Sequence, residues 1–175
     1  MKRFMLLALL MVSVLAIDAN EKKQSRKERK AEKKAQQAEQ TKRIVEAETF
    51  YFDATTMNPT TGGSRSIMNY SIIIEDGNLN SYLPYMGRAY SGGYGGSEDN
   101  PLVFESPIEN YTLEETKKGG YTIKFTARNG SDRVDYTLSI SSSGSGSLSV
   151  KSSKRQHISY FGNLVPLYTE ELANQ

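Results

Sequence analysis

The sequence predicts a mainly β protein: a single antiparallel sandwich or barrel-like domain of eight or nine strands, preceded by a signal peptide and a charged helical spacer. Three observations carry this. Apolar and polar residues alternate at period two through much of residues 47–175. Clusters of Gly, Asn, Asp and Ser break these runs at short spacing. There is no internal repeat and no strand–helix alternation, which excludes a doubly wound sheet.

Residues 1–19 read as a signal peptide. Met1-Lys2-Arg3 is basic, and Phe4 to Ile17 is apolar except for Ser13. That run is too short for a membrane span, which needs roughly 20 apolar residues, and fits an export signal. Cleavage is expected after Ala16 or Ala19. The chain has no Cys, so lipoprotein processing is excluded along with disulfides, thiolate metal sites and a thiol nucleophile. The expected location is periplasmic or secreted, with no transmembrane span in the mature chain.

Residues 20–46 form a basic spacer, helical or disordered. Ten Lys/Arg face five Glu, and Gly, Pro and aromatic residues are missing. Ala, Glu, Lys, Gln and Arg favour helix, but no apolar stripe appears before Ile44 and Val45. Either the segment is a solubilising stalk, or residues 22–43 attach to an anionic surface such as lipid headgroups or acidic envelope polymer. Nucleic acid is not expected as a partner, because the segment lacks stacking aromatics and the chain is exported.

Residues 47–175 form the β domain, with ten Lys/Arg against fourteen Asp/Glu. Phe50 and Phe52 open a strand. Met68, Tyr70, Ile72 and Ile74 share one face of a longer one, which Glu75-Asp76-Gly77-Asn78 turns back into Leu79 to Tyr85. Residues 101–104 form a short strand opened by Pro101. Tyr111 and Leu113 alternate with Thr112 and Glu114; Tyr121, Ile123, Phe125 and Ala127 alternate with Thr122, Lys124 and Thr126. A three-residue loop, Lys118 to Gly120, places Leu113 opposite Phe125, Glu114 opposite Lys124 and Thr112 opposite Thr126. Val134, Tyr136, Leu138 and Ile140 mark the next strand. Ser141 to Ser147 is a turn, Leu148 and Val150 follow, and Ile158, Tyr160 and Leu164 mark the last strand. The loop from Gly87 to Asn100, rich in glycine and tyrosine, fits no strand.

Two stretches resemble a known family. Tyr82-Leu83-Pro84-Tyr85-Met86-Gly87-Arg88-Ala89-Tyr90 is similar to the LPYfGrAy signature of the domain-of-unknown-function 4251 family, with Met86 in place of the usual aromatic. Ser149-Val150 through Arg155-Gln156-His157-Ile158-Ser159-Tyr160-Phe161-Gly162 resembles its C-terminal motif. The leader, the spacer and Phe52-Asp53-Ala54 before Pro59 look like its start. The resemblance covers roughly residues 47–165. It implies an exported, β-rich envelope domain of Bacteroidetes, and supplies no activity, ligand or catalytic residue.

The residues themselves offer little catalytic chemistry. His157 is the single imidazole, at an odd position of the last strand. No G-x-S-x-G elbow, phosphate loop or calcium loop is present, so no catalytic residue, metal site or cofactor is expected. The candidate ligand-binding set is Tyr82, Tyr85, Arg88, Tyr90 and Tyr94 together with Arg155, His157 and Tyr160. Tyrosine offers a broad face with a polar tip, and Arg pairs with carboxylate or phosphate or stacks on a ring. The function expected is non-enzymatic binding of a small ligand, glycan or envelope protein. Two alternatives stand beside it: a carboxylate-based hydrolase, and a structural envelope protein tethered by its spacer.

Overall fold

The computed structural model describes residues 26–90 and 100–167. The leader, the spacer before residue 26, Tyr94 with the rest of 91–99, and the chain after residue 167 lie outside the described residues. Residues 26–46 form helix α1. Nine strands follow: β1 (Phe50–Pro59), β2 (Arg65–Glu75), β3 (Asn78–Tyr82), β4 (Val103–Pro107), β5 (Glu109–Glu115), β6 (Tyr121–Asn129), β7 (Asp132–Ile140), β8 (Ser145–Ser152) and β9 (Ile158–Pro166).

All strand pairs are antiparallel, in one sheet of order β4-β3-β2-β1-β9-β8-β7-β6-β5. The sheet curls until its edges nearly meet, as a barrel. The stretch from Val103 to Glu115 makes the seam. Its first half pairs with β3 and its second half with β6, with Ile108 between. Ser106 Oγ accepts from the Arg128 amide at 3.2 Å, and Asn129 Nδ2 donates to the Pro101 carbonyl at 3.1 Å, drawing β4 against β6.

The alternation in sequence becomes inside and outside. Phe50, Phe52, Ile72, Leu79, Ile123, Leu138, Leu148 and Tyr160 fill the interior, fully buried. Phe125 and Tyr136 stack there with centroids 4.8 Å apart. One end is covered by the last turns of α1: Val45 is fully buried, and Thr41 Oγ1 donates to the Ser142 carbonyl. The helix stops at Glu48, whose φ of 51° cannot continue it.

Several expectations need correction. Across β5 and β6, Leu113 faces Ile123 rather than Phe125, Glu114 faces Thr122 rather than Lys124, and Thr112 faces Lys124 rather than Thr126. The three-residue loop is Lys117-Lys118-Gly119: Thr116 N donates to Gly120 O at 2.7 Å, and Gly119 takes the positive φ of 73°. The cause is β7. Nine consecutive residue pairs bind β6 to β7, and a Cβ on Gly120 would run into the Ile140 carbonyl, so Gly120 belongs to the strand side of the turn. The apolar face is kept, and Glu114 still reaches Lys124 on the diagonal at 3.6 Å.

Met68 does not share a face with Ile72. Asn69 has φ 63°, which reverses the phase, leaving Ile67 half-buried and Met68 80% exposed. In β1 the same happens at Thr55, where the register against β9 slips by one residue. The Pro101 strand begins later, at Val103, because residues 101–102 form a turn. The serine-rich turn shrinks to 141–144, with Gly144 at φ 85°. β3 stops at Tyr82, so residues 83–90 are free to form a different structure. His157 precedes β9 rather than lying within it.

Candidate functional site

Residues 83–90 leave β3 and cross the barrel end opposite the last turns of α1 as a strap. Its start is held by Leu83, fully buried, whose amide donates to Leu102 O. Its end makes a small antiparallel bridge, Ala89 to Arg155, on the β8–β9 connection. Tyr90 N donates to Lys154 O at 2.7 Å, and Gln156 N donates to Arg88 O at 3.0 Å. The Gln156 side chain accepts from the Arg88 amide at 3.1 Å. The strap is therefore fixed by backbone pairing on both sides of Arg88.

Two tyrosines latch it. The Tyr160 hydroxyl donates to the Pro84 carbonyl at 2.7 Å, with its ring fully buried. The Tyr85 hydroxyl donates to the Gln156 carbonyl at 3.0 Å, and the Arg155 guanidinium lies over the Tyr85 ring, 5.9 Å from its centroid. Burial pushes both phenols above their ordinary value; for Tyr85 the Arg155 charge partly opposes the rise. Both stay protonated and act as donors. A side chain on Gly87 would collide with the Tyr85 ring, which explains glycine at that point of the strap.

The structure thus brings Tyr85, Arg88, Tyr90, Arg155 and Tyr160 together. Tyr85 and Tyr160 spend their hydroxyls on the strap, whereas Arg88 and Tyr90 are exposed, Tyr90 by 67%. Tyr82 sits apart, half exposed and stacked on Tyr70 at 5.3 Å. His157 turns to β8, where its Nε2 lies 2.8 Å from Ser149 Oγ. That distance suits a base and a nucleophile, but both lie on the outer side of the sheet. Among the described residues no carboxylate bonds the other ring nitrogen, which such a pair needs. Tyr94 lies outside the described residues.

Gln156, Asp132 and the groove outside β3 and β4 lie beyond the residues the sequence points to. Gln156 works mostly through its backbone, which carries no sequence signal. Asp132, the buried carboxylate among the described residues, accepts from Ser152 and Ser153 at 2.7–2.9 Å. The groove, about 470 Å³, runs between Glu75, Asn80, Glu105 and Pro107, away from the strap. No group of three or more metal-ligating side chains occurs among the described residues, and no described helix is long and apolar enough to cross a membrane.

Fold and strap define a class: an antiparallel barrel-like domain filled by its own side chains and closed at one end by a tyrosine-latched segment. A family model described as a domain of unknown function, DUF4251, matches residues 32–164, and the chain belongs to that family. The crystal structure of a DUF4251 family protein from Bacteroides eggerthii has the same fold. It matches with a TM-score of 0.56 and 11% identity, over 74% of this chain and 87% of that one. No curated protein matches the chain.

Proposed function

We propose that this is an exported, non-enzymatic binding domain that recognises a glycan or a partner protein on the outside of the strap end. The observation that carries the reading is the contrast at the strap: Arg88 and Tyr90 project into solvent while their backbone is pinned to residues 154 and 156. Recognition groups held on fixed backbone lose little freedom on binding. The barrel interior is occupied by aromatic and aliphatic side chains, which favours a surface ligand over an enclosed one. A paired-carboxylate hydrolase finds less support, since the buried Asp132 has its oxygens engaged by serines. The basic n-region and the apolar run to Ile17 support export to the periplasm or beyond.

Native mass spectrometry of the protein purified from its own periplasm tests this. The wild type is expected to retain a glycan or a protein, and Arg88→Ala and Tyr90→Ala to lose it with stability unchanged within about 0.5 kcal/mol. Retention by both variants would place recognition elsewhere. A wild type that carries nothing would favour the structural reading, which the filled interior also suits.

A further inference from the structure

The part of α1 before Gln36 has its own pattern. Successive helical residues are rotated by about 100°. On that wheel Arg26, Lys27, Arg29, Lys30, Lys33 and Lys34 fall within one arc of about 160°. Glu28 and Glu32 lie about 40° apart on the far side. Ala31 and Ala35 lie between, and all six basic residues are exposed.

This segregation works against the helix in water. Arg26–Lys30, Arg29–Lys33, Lys30–Lys34 and Glu28–Glu32 are like charges one turn apart, each destabilising. The ion pairs that do form one turn apart, Arg43 to Glu39 and Lys42 to Glu46, belong to the last turns. A stalk selected only for solubility gains nothing from placing like charges together. A helix that lays one face on a polyanion relieves the repulsion on that face.

We propose that the face formed by Arg26, Lys27, Arg29, Lys30, Lys33 and Lys34 docks on an anionic lipid surface. The width of the arc selects a plane over a thread. A single polymer chain meets a narrow stripe, whereas long Lys and Arg side chains can bend from both flanks onto a sheet of headgroups. The lack of large apolar residues on α1 before Ile44 keeps that part on the surface rather than within it. Residues 47–175, with ten Lys/Arg against fourteen Asp/Glu, are repelled by the same surface, so contact is confined to the helix. This inference does not depend on the strap reading.

The test is cosedimentation of the full chain with vesicles of equal parts phosphatidylglycerol and phosphatidylcholine, against phosphatidylcholine alone, at low salt. The difference between the two cancels any insertion of the apolar run 4–17. The key variant combines Lys27→Glu, Glu28→Lys, Glu32→Lys and Lys33→Glu. It keeps composition and net charge and destroys the segregation. The wild type is expected to prefer the anionic vesicles and to gain helical circular dichroism on mixing. The variant should bind them at least about tenfold more weakly, while Arg88→Ala should bind as wild type does. Equal binding by wild type and rearranged variant, or no preference for anionic vesicles, would overturn the proposal. Tighter binding to duplex DNA than to vesicles at equal charge concentration would reassign the face to a polymer.

Discussion

Tyr160 and Tyr111 use the same hydroxyl in opposite ways. The Tyr160 hydroxyl has a partner, the Pro84 carbonyl at 2.7 Å; the Tyr111 hydroxyl is buried with none among the described residues. Removing a paired buried group costs more than removing an unpaired one. Tyr160→Phe is therefore expected to cost about 1–3 kcal/mol, and Tyr111→Phe to be neutral or stabilising by up to about 1 kcal/mol. Urea denaturation of both variants checks this, and the reverse order would mean that the strap latch contributes nothing. Part of this was legible in sequence. Tyr160 shares its phase with Ile158 and Leu164, so its burial could be read, but its role as a latch could not. Tyr85 carried no such signal, because residues 83–90 have no periodicity. Composition alone placed it among binding residues, where the fold uses it to hold the strap.

Strands betray themselves by local alternation, but their registers depend on neighbours further along the chain. The β5–β6 pairing is two residues away from the one that loop chemistry and cross-strand charges suggested, because β6 is already fixed by its long pairing with β7. Bulges at Thr55 and Asn69 change which residues face inward, and nothing in the period-two pattern announces them. The two glycines of the β5–β6 turn separate these influences. At Gly119 only the backbone conformation, φ 73°, opposes a side chain, and Gly119→Ala should cost about 1–2 kcal/mol. At Gly120 a new Cβ would enter the Ile140 backbone, which cannot move aside without breaking the β6–β7 ladder. Thermal melts should find Gly120→Ala the more damaging of the two. Equal losses would mean that the turn, and not β7, sets the register.

At the scale of the molecule, the barrel keeps several phenols out of water. Burial pushes Tyr136 and Tyr160 above the ordinary tyrosine value; burial, then the Glu48 charge, pushes Tyr111 up to about 12. Below about pH 10 the folded and unfolded chains hold these protons equally, and the groups add no pH dependence. Above it the unfolded chain releases them and the folded chain does not, so stability is lost as pH rises through the folded values. The melting temperature should fall steeply between about pH 10 and 12, and less steeply in Tyr160→Phe. A flat profile across that interval would contradict the burial of these rings. Fold class and strand count could be read from the sequence because one filled interior imposes one alternation on the whole domain. The strap's docking on the β8–β9 connection leaves no mark in the sequence, since it joins segments far apart in the chain through backbone groups.

The sheet order also sets the sequence of events by which the barrel forms. β5 to β9 are a meander of consecutive neighbours, and β1 to β4 another. The first of them, β1, has its longest pairing with the last, β9, across about a hundred residues of chain. Closing so long a loop is the entropically expensive step, and topologies dominated by such pairings fold slowly, in roughly milliseconds to seconds. A chain threaded through a membrane from its N-terminus would deliver β1 first and leave it unmatched until β9 arrived. Gly162 then decides whether the two halves can lock: opposite Ala54, it lets β9 approach so closely that a single added methyl would strike the Asp53 carbonyl. A substitution there would leave two half-barrels, each with an exposed edge and an uncovered apolar face, and the expected fate of such a chain is aggregation or proteolysis rather than a weakened barrel.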